Sequence, residues 1–309
     1  MDLTVTASRL PSLGETVIGN TFSAAPGGKG ANQAVGAARL GAQVTMVGKV
    51  GEDAFGDALL ASAEESGVDV SFVRRVSGVP SAIGNVQLQQ TAQGADNRIV
   101  VVPGANMELN DDDVAFLKER ICEYDMVILQ HEIPSHVNQR VAEYARAAGV
   151  PVMLNPAPYA EVSDELMVCL SYISPNEHEA AAMTGIVPDG EQTVRQAAER
   201  LQKRGVSHVL ITLGERGCAY CDGETVLFSG SEPSGAVVDT TAAGDSFVAA
   251  FCTATAAGID RIAALRFANC TAGITVSRAG AQPSLPALAE VLRVMRDKGY
   301  ETANFTVLQ

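Results

Sequence analysis

Positive charge is scarce in this chain: 22 lysines and arginines stand against 36 aspartates and glutamates among 309 residues, a net charge of −14. Nucleic-acid backbones and anionic lipid surfaces attract basic patches, so this balance argues against both as partners. A phosphate-bearing small molecule is not excluded, because one local nest of backbone N–H groups can hold an anion in an acidic protein. Histidine is rarer still. The four, His131, His136, His178 and His208, lack metal-ligand spacing and read as surface residues or as neighbours of a site. Six cysteines are scattered. Cys218 and Cys221 have CxxC spacing, but no second cysteine pair or histidine pair accompanies them, so they read as two residues of one strand and its turn. No apolar run reaches transmembrane length, and Met1 to Leu10 has no basic segment or long apolar stretch of a secretion signal. Thiols without an export signal imply the cytoplasm. Repeats and low-complexity linkers are missing too.

What is present is a large apolar fraction, 47%, with 19% charged residues, enough to bury a sizeable core and to exclude disorder. Its periodicity alternates. Ala31 to Leu40 reads as a helix, Val44 to Val50 as a buried strand and Asp53 to Ser66 as a helix. Ala82 to Val102 differs, with short β-like runs around the turn Gln93-Gly94-Ala95-Asp96-Asn97. This pattern predicts a hairpin in a small sheet outside the core. Beyond Pro103, strands at 126–130, 151–154, 172–174 and 208–212 alternate with helices from Asn110 and over 137–147, 176–184 and 193–204. A hairpin over 217–220 and 225–228 and three helices, 243–257, 261–278 and 286–298, complete the pattern. Such alternation predicts an α/β fold, a mostly parallel sheet covered on both faces, with its ligand at the carboxyl ends of the strands.

Two Gly-rich segments stand at helix starts. Thr241-Ala242-Ala243-Gly244-Asp245-Ser246-Phe247 follows the strand-like Val237-Val238 and runs into an apolar helix. Small residues there leave N–H groups exposed as an anion hole, beside which Asp245 could take a proton from an attacking hydroxyl. Alone, the segment leaves Asp245 equally open to being an ordinary acid of a first helical turn. Pro26-Gly27-Gly28-Lys29-Gly30-Ala31-Asn32-Gln33 is either a ligand loop or a glycine-rich turn with a cap; it lacks the spacing of a Walker A loop. Asn176 and Glu179, one turn apart, could hold magnesium through water or cap their helix. Thr212 to Gly217 could accept a nucleotide or be a plain hairpin turn.

Taken together and in order, these segments resemble the ribokinase-like carbohydrate kinase family over nearly the whole chain. Pro26 to Ala34 resembles its first signature and Val238 to Phe247 its second, with support from Leu154 to Pro158, Ser174 to Glu179, Ile211 to Gly217 and Gly280-Ala281-Gln282-Pro283-Ser284. The Gly-Gly-Lys-Gly-Ala-Asn-Gln and Gly-Ala-Gln-Pro-Ser forms point to ribose as acceptor rather than fructose, adenosine or a ketohexose. The resemblance implies a three-layer αβα fold, with a core of residues 25–81 and 104–309 and a discontinuous β lid of 1–24 and 82–103. It implies ATP-dependent phosphorylation of D-ribose at O5, with Asp245 as base and the N–H groups of Ala242, Ala243 and Gly244 as anion hole. Asp2, Gly28, Lys29, Asn32 and Glu132 would bind the sugar, and Asn176, Thr212, Gly214, Gly217, Gly244 and Asn269 would bind ATP. Glu179 would help organise Mg2+. K+ would sit on Asp239, Thr241, Thr275, Arg278, Gly280 and Ser284, several through backbone carbonyls. A homodimer through the lid is implied as well. Other acceptors stay open, deoxyribose, a nucleoside or another furanose, as does a non-catalytic sugar-binding protein. One departure stands out: family members begin with a strand and a Gly-x-x-Asn-x-Asp segment, whereas this sequence opens at Met1-Asp2-Leu3. The expectation is that a first core strand and a sugar-binding Asn lie upstream of Met1, leaving that strand's neighbours exposed and Asp2 on a frayed terminus.

Overall fold

Apolar residues on both faces of a strand demand cover on both faces, and the central sheet answers that demand. The structure, a computed structural model, describes residues 1–91 and 94–309. In chain order come β1 (Asp2–Ala7), β2 (Thr21–Ala25), α1 (Lys29–Arg39), β3 (Val44–Gly51), α2 (Ala54–Glu65), β4 (Val68–Val76), β5 (Ile83–Thr91) and β6 (Gly94–Val102). There follow α3 (Asp111–Val114), α4 (Leu117–Arg120), β7 (Val127–Leu129), α5 (Ser135–Ala148), β8 (Val152–Leu154), α6 (Asp164–Met167), β9 (Tyr172–Ile173), α7 (Glu177–Thr184) and α8 (Glu191–Gln202). β10 (His208–Thr212), β11 (Cys218–Cys221), β12 (Val226–Ser229), α9 (Ala243–Ala256), α10 (Arg261–Thr275) and α11 (Leu288–Asp297) close the chain.

The six-stranded sheet runs β12-β11-β10-β9-β8-β7, with β7 to β10 parallel and β11 and β12 antiparallel at one edge. Alternate side chains enter different cores. Val152, Leu154, Val209 and Ile211 pack with α5 and α8, whereas Met153 and Leu210 pack with α9, α10 and α11. Helix, sheet and helix are therefore three layers. Cys218 and Cys221 face opposite cores, and burial pushes their thiols up to about 12 and about 11. Neither is poised for redox chemistry.

β3 and β4 form a separate two-stranded parallel sheet, and β7 is the edge of the larger one. A third sheet, ordered β2-β1-β5-β6, stands apart from both. Here Asp2 is not frayed, because β1 pairs on both sides, Asp2 with Ala25 and with Gly84. The β5–β6 hairpin has the expected strands but a shorter turn. Gly94 already pairs with Thr91 and the ladder continues through Asn97, while 92–93, within which Gln93 was expected to turn, lie outside the described residues. Asp53 caps α2 through the Gly56 N–H at 2.7 Å and also accepts from the Ser81 N–H at 2.7 Å, pinning the point where the hairpin leaves the core.

Val237 and Val238 are not a strand. Both are exposed, at 58% and 61%, and the Val238 N–H reaches only the carbonyl of Val276 beyond α10. They pair with no strand of the sheet, whose edge on that side is β12. α10 stops at Thr275, short of the expected Arg278, and turns into the segment that faces Asp239. Among the described residues no helix is long and apolar enough to cross a membrane.

Candidate active site

Two helix N-termini meet at the carboxyl ends of the parallel strands. α1 starts at Gly28, whose φ of 95° favours glycine, and α9 starts at Ala242, whose φ of 60° is a costly left-handed conformation for a residue with a Cβ. Neither N-cap residue makes a side-chain cap bond; the Lys29 N–H of α1 is taken by Glu132, so it is the start of α9 that keeps N–H groups for an anion. The helices can lie close because Gly36 of α1 faces Ala249 of α9; a Cβ at Gly36 would fall 3.0 Å from that of Ala249.

Asp245, in the first turn of α9, is 6% exposed. Its Oδ2 accepts from Asn32 Nδ2 at 2.9 Å and its Oδ1 from Gln33 Nε2 at 3.0 Å. Each oxygen is therefore held by one amide donor and keeps lone pairs for a further partner. Among the anion-hole residues, Ala243 donates its N–H to Thr240 at 3.2 Å, whereas a Cβ on Gly244 would meet nothing within 4 Å, so Gly244 borders open space.

Around this carboxylate lies a ring of charge. Glu132, just after β7, accepts the Lys29 N–H at 2.8 Å. Burial pushes its carboxyl above the ordinary range, the Lys29 N–H and charge oppose this, and the like charges of Asp245 and Asp2 add to it. Burial likewise raises Asp2, with Asp245 adding repulsion and Lys29 opposing. The Asp2 carboxylate sits between Gly27 and Gly84; a Cβ on Gly27 would lie 2.6 Å from its Cγ, and one on Gly84 2.8 Å from its Oδ1. The paired glycines of the loop thus divide the work: Gly28 sets the helix start and Gly27 makes room for Asp2.

The expected nucleotide residues cluster on the next strands. Asn176 bridges to Thr212, and Leu213 closes a turn onto Gly217 at 2.8 Å through Gly214 and Gly217, whose φ values are 55° and 85°. Asn176 and Glu179 form a capping box, each side chain accepting the other's backbone N–H at 2.8 and 2.9 Å. The cap reading of that pair therefore holds. Burial raises the Glu179 carboxyl, and the charges of Lys29 and Asp245 are felt there. Asn269 turns its Nδ2 to Ser229 Oγ at 2.9 Å, tying α10 to β12.

The expected potassium residues also come together. Asp239 Oδ1 accepts from the N–H and hydroxyl of Thr241 at 2.9 and 2.6 Å, and its Oδ2 accepts from the Gly280 N–H at 2.9 Å. Burial opposes ionisation there, but the hydrogen bonds from Thr241 and Gly280 hold the Asp239 carboxyl below its ordinary value. Among the described residues the carbonyls of Asp239, Thr241 and Gly280 accept no backbone hydrogen bond. Free carbonyls on two pinned loops suit a hard monovalent cation. The Arg278 guanidinium points away, paired with Glu290, and the Ser284 hydroxyl donates to Ala281 at 2.7 Å. Thr275 Oγ1 donates back to Thr271 at 3.0 Å, and the Thr275 carbonyl accepts the Arg278 N–H at 3.1 Å. No group of three or more His, Cys, Asp or Glu able to hold a metal occurs among the described residues.

Three residues of the site had no role in the sequence reading, although two of them lie in segments it singled out: Gln33, Gln130 and Asn155. Gln33 Nε2 also bonds Asn155 Oδ1 at 3.2 Å, Gln130 Nε2 donates to Gln33 Oε1 at 2.6 Å, and Asn155 Nδ2 donates to the Ser174 carbonyl at 2.9 Å. For Gln130 and Asn155 the available signal was a polar residue standing directly after an apolar strand, β7 or β8.

A family model for pfkB family carbohydrate kinases matches residues 1–288. The chain is 42% identical over 291 residues to the ribokinase of Bacillus subtilis, covering 94% of each chain. It is 30% identical, again over 94% of each, to the deoxyribokinase of Salmonella typhi. A solved structure of Arabidopsis thaliana ribokinase complexed with ribose and ATP superposes with a TM-score of 0.87 at 36% identity, covering 96% of this chain and 95% of that one.

Proposed function

We propose that this chain, which belongs to the pfkB family of carbohydrate kinases, transfers the γ-phosphoryl group of ATP to the 5-hydroxyl of D-ribose, giving ribose 5-phosphate and ADP. Its fold is ribokinase-like. The observation that carries the reading is the buried Asp245 carboxylate, gripped by two side-chain amides in the first turn of a helix that no side chain caps. Phosphoryl transfer asks for a positioned proton acceptor and for positive ends aimed at the moving charge, more than for covalent chemistry. Asp245 takes the hydroxyl proton as the sugar oxygen bonds to phosphorus and the bond to the β–γ bridging oxygen breaks. The N–H groups of Ala242 to Gly244 receive the charge on the transferring group.

In this reading ribose lies among Asp2, Gly28, Lys29, Asn32 and Glu132. Asn32 Oδ1, buried and without a protein partner among the described residues, suits a sugar hydroxyl donor. ATP lies over Asn176, Thr212, Gly214, Gly217 and Asn269. Glu179 would help organise Mg2+, which would supply neutralisation of phosphate charge, and the carbonyls around Asp239 would hold K+. Residues 1–24 and 82–103 form the lid and 25–81 with 104–309 the core. Phe22 on β2 and Ile99 to Val102 on β6, the two edge strands of the lid, are apolar and from 44% to 67% exposed, which favours a homodimer through that sheet. Six free cysteines suit a reducing compartment such as the cytoplasm.

Coupled ADP release with a sugar panel tests the reading. Ribose should give the highest kcat/KM. Absence of ribose-dependent ADP release would overturn it, and a higher kcat/KM on 2-deoxyribose would move the assignment to the activity carried by the Salmonella relative.

A further inference from the structure

The site holds one fully buried polar side chain with no role in the scheme so far. Gln33, early in α1 and in contact with Asp245, is 1% exposed. An amide buried this deeply must satisfy its donors and acceptor or cost stability. Gln33 does so with a fixed orientation. Its Oε1 accepts from Gln130 at 2.6 Å, which forces its Nε2 toward Asp245 Oδ1 at 3.0 Å and Asn155 Oδ1 at 3.2 Å. Gln130 is anchored in turn, since Asn138 of α5 donates to its carbonyl at 2.7 Å, and Asn155 is anchored on Ser174. The orientation is thus set by the ends of β7, β8 and β9, not by α9, which carries the base.

We propose that Gln33 is a positioning residue for Asp245, fixing the carboxylate plane so that one lone pair on each oxygen is held by an amide and the rest face the substrate hydroxyl. Asn32 alone would hold only Oδ2 and leave the carboxylate to turn about its Cβ–Cγ bond. Gln33 supplies the second point and ties it to the strand ends that also carry Glu132 and Asn176. This inference rests on the kinase reading of Asp245. The charged and titratable groups around the pair are Asp2 of β1, Lys29 of α1, Glu132 after β7 and Glu179 of α7; the charge of Asp245 is felt at Asp2, Glu132 and Glu179, as is that of Lys29.

The test compares the full-length protein with Gln33→Met and Gln33→Glu, measuring kcat and KM for ribose and ATP between about pH 5.5 and about pH 8, a range in which a carboxyl raised by a neighbouring like charge titrates. Gln33→Met keeps the length and loses the donor. Its kcat should fall about 10- to 100-fold, the worth of one hydrogen bond to a charged group at a decade per 1.4 kcal/mol, with both KM values within about twofold. Gln33→Glu keeps the shape and the acceptor for Gln130 but turns an oxygen toward Asp245. It should lose more at the alkaline end and recover as pH falls, because the substituted carboxyl donates again once it is protonated. Gln33→Met activity within about threefold of wild type overturns the proposal. So does a fall in kcat matched by the KM values, with no recovery of Gln33→Glu in acid, which marks a merely structural residue. If Gln33→Met does not fold, the isosteric Gln33→Glu profile decides by itself. A wild-type protein that phosphorylates no sugar removes the kinase reading, and this inference with it; an active wild type with an unmoved Gln33→Met removes this inference alone.

Discussion

Replacing Gly27 by alanine should separate sugar binding from everything else. The backbone at Gly27 is not left-handed, so alanine can adopt it. The new Cβ would collide most closely with Asp2 Oδ2 and would lie 2.6 Å from Asp2 Cγ and 3.0 Å from Oδ1, whereas ordinary contact begins near 3.4 Å. The Asp2 carboxylate must recede by more than about 1 Å, a displacement that costs on the order of 10²-fold where it misplaces a binding group. Each sugar hydroxyl bonded to a charged acceptor is worth about 1.5–3 kcal/mol, so ribose KM should rise about 10- to 100-fold. The end of one flexible side chain moves and no backbone does, so stability should change by no more than about 0.5 kcal/mol. ATP KM should stay put, because the residues proposed for the nucleotide stand at the ends of β9 and β10 and on α10. Ribose titrations in the ADP-release assay, with thermal unfolding alongside, give both readouts. A ribose KM within about threefold of wild type, with Tm intact, would refute the placement of Asp2 in the sugar site.

Glu132→Gln should be as stable as wild type or more so at neutral pH, yet bind ribose poorly. Burial raises the Glu132 carboxyl in the folded protein, so the wild type loses stability as pH rises from the ordinary glutamate value through the raised one. The variant's advantage should therefore be complete above the raised value and vanish below the ordinary one, which unfolding curves across pH will show. Gly273→Ala should destabilise by about 1–3 kcal/mol, since a Cβ there would lie 2.7 Å from the Glu232 carbonyl carbon and must push away the loop that runs on to Asp239. Denaturant midpoints measure this; an unchanged midpoint would mean that the loop does not lie against α10.

Much of the fold was written in apolar periodicity. The parallel strands β3 and β7 to β10 and the helices beside them appear within about two residues of the expected places because each long helix has a face to bury, whereas β4, parallel to β3, had no expected counterpart. Val237 and Val238 misled because β-branched apolar residues read as strand wherever they occur, whereas these two lie exposed and pair with no strand. The turn after β5 misled for another reason: glycine and asparagine at 94 and 97 look like turn residues, but pairing with β5 carries them into the ladder. In the site, Asp245 and Asn32 stood in segments recognisable at helix starts. The roles of Gln33, Gln130 and Asn155 were not recognisable, because they come from separate strand ends converging through hydrogen bonds, which no spacing along the chain encodes. Asn176 and Glu179 were legible as a cap from their spacing alone.

The most direct test of the account is Asp245→Asn. The substitution keeps size and shape, removes the proton acceptor, and sets an amide against the donors of Asn32 and Gln33. Measured by ribose-dependent ADP release, kcat should fall about 10²- to 10⁴-fold, while calorimetry still detects ribose binding. A variant that keeps more than about a tenth of wild-type kcat would contradict the assignment of Asp245 as the base.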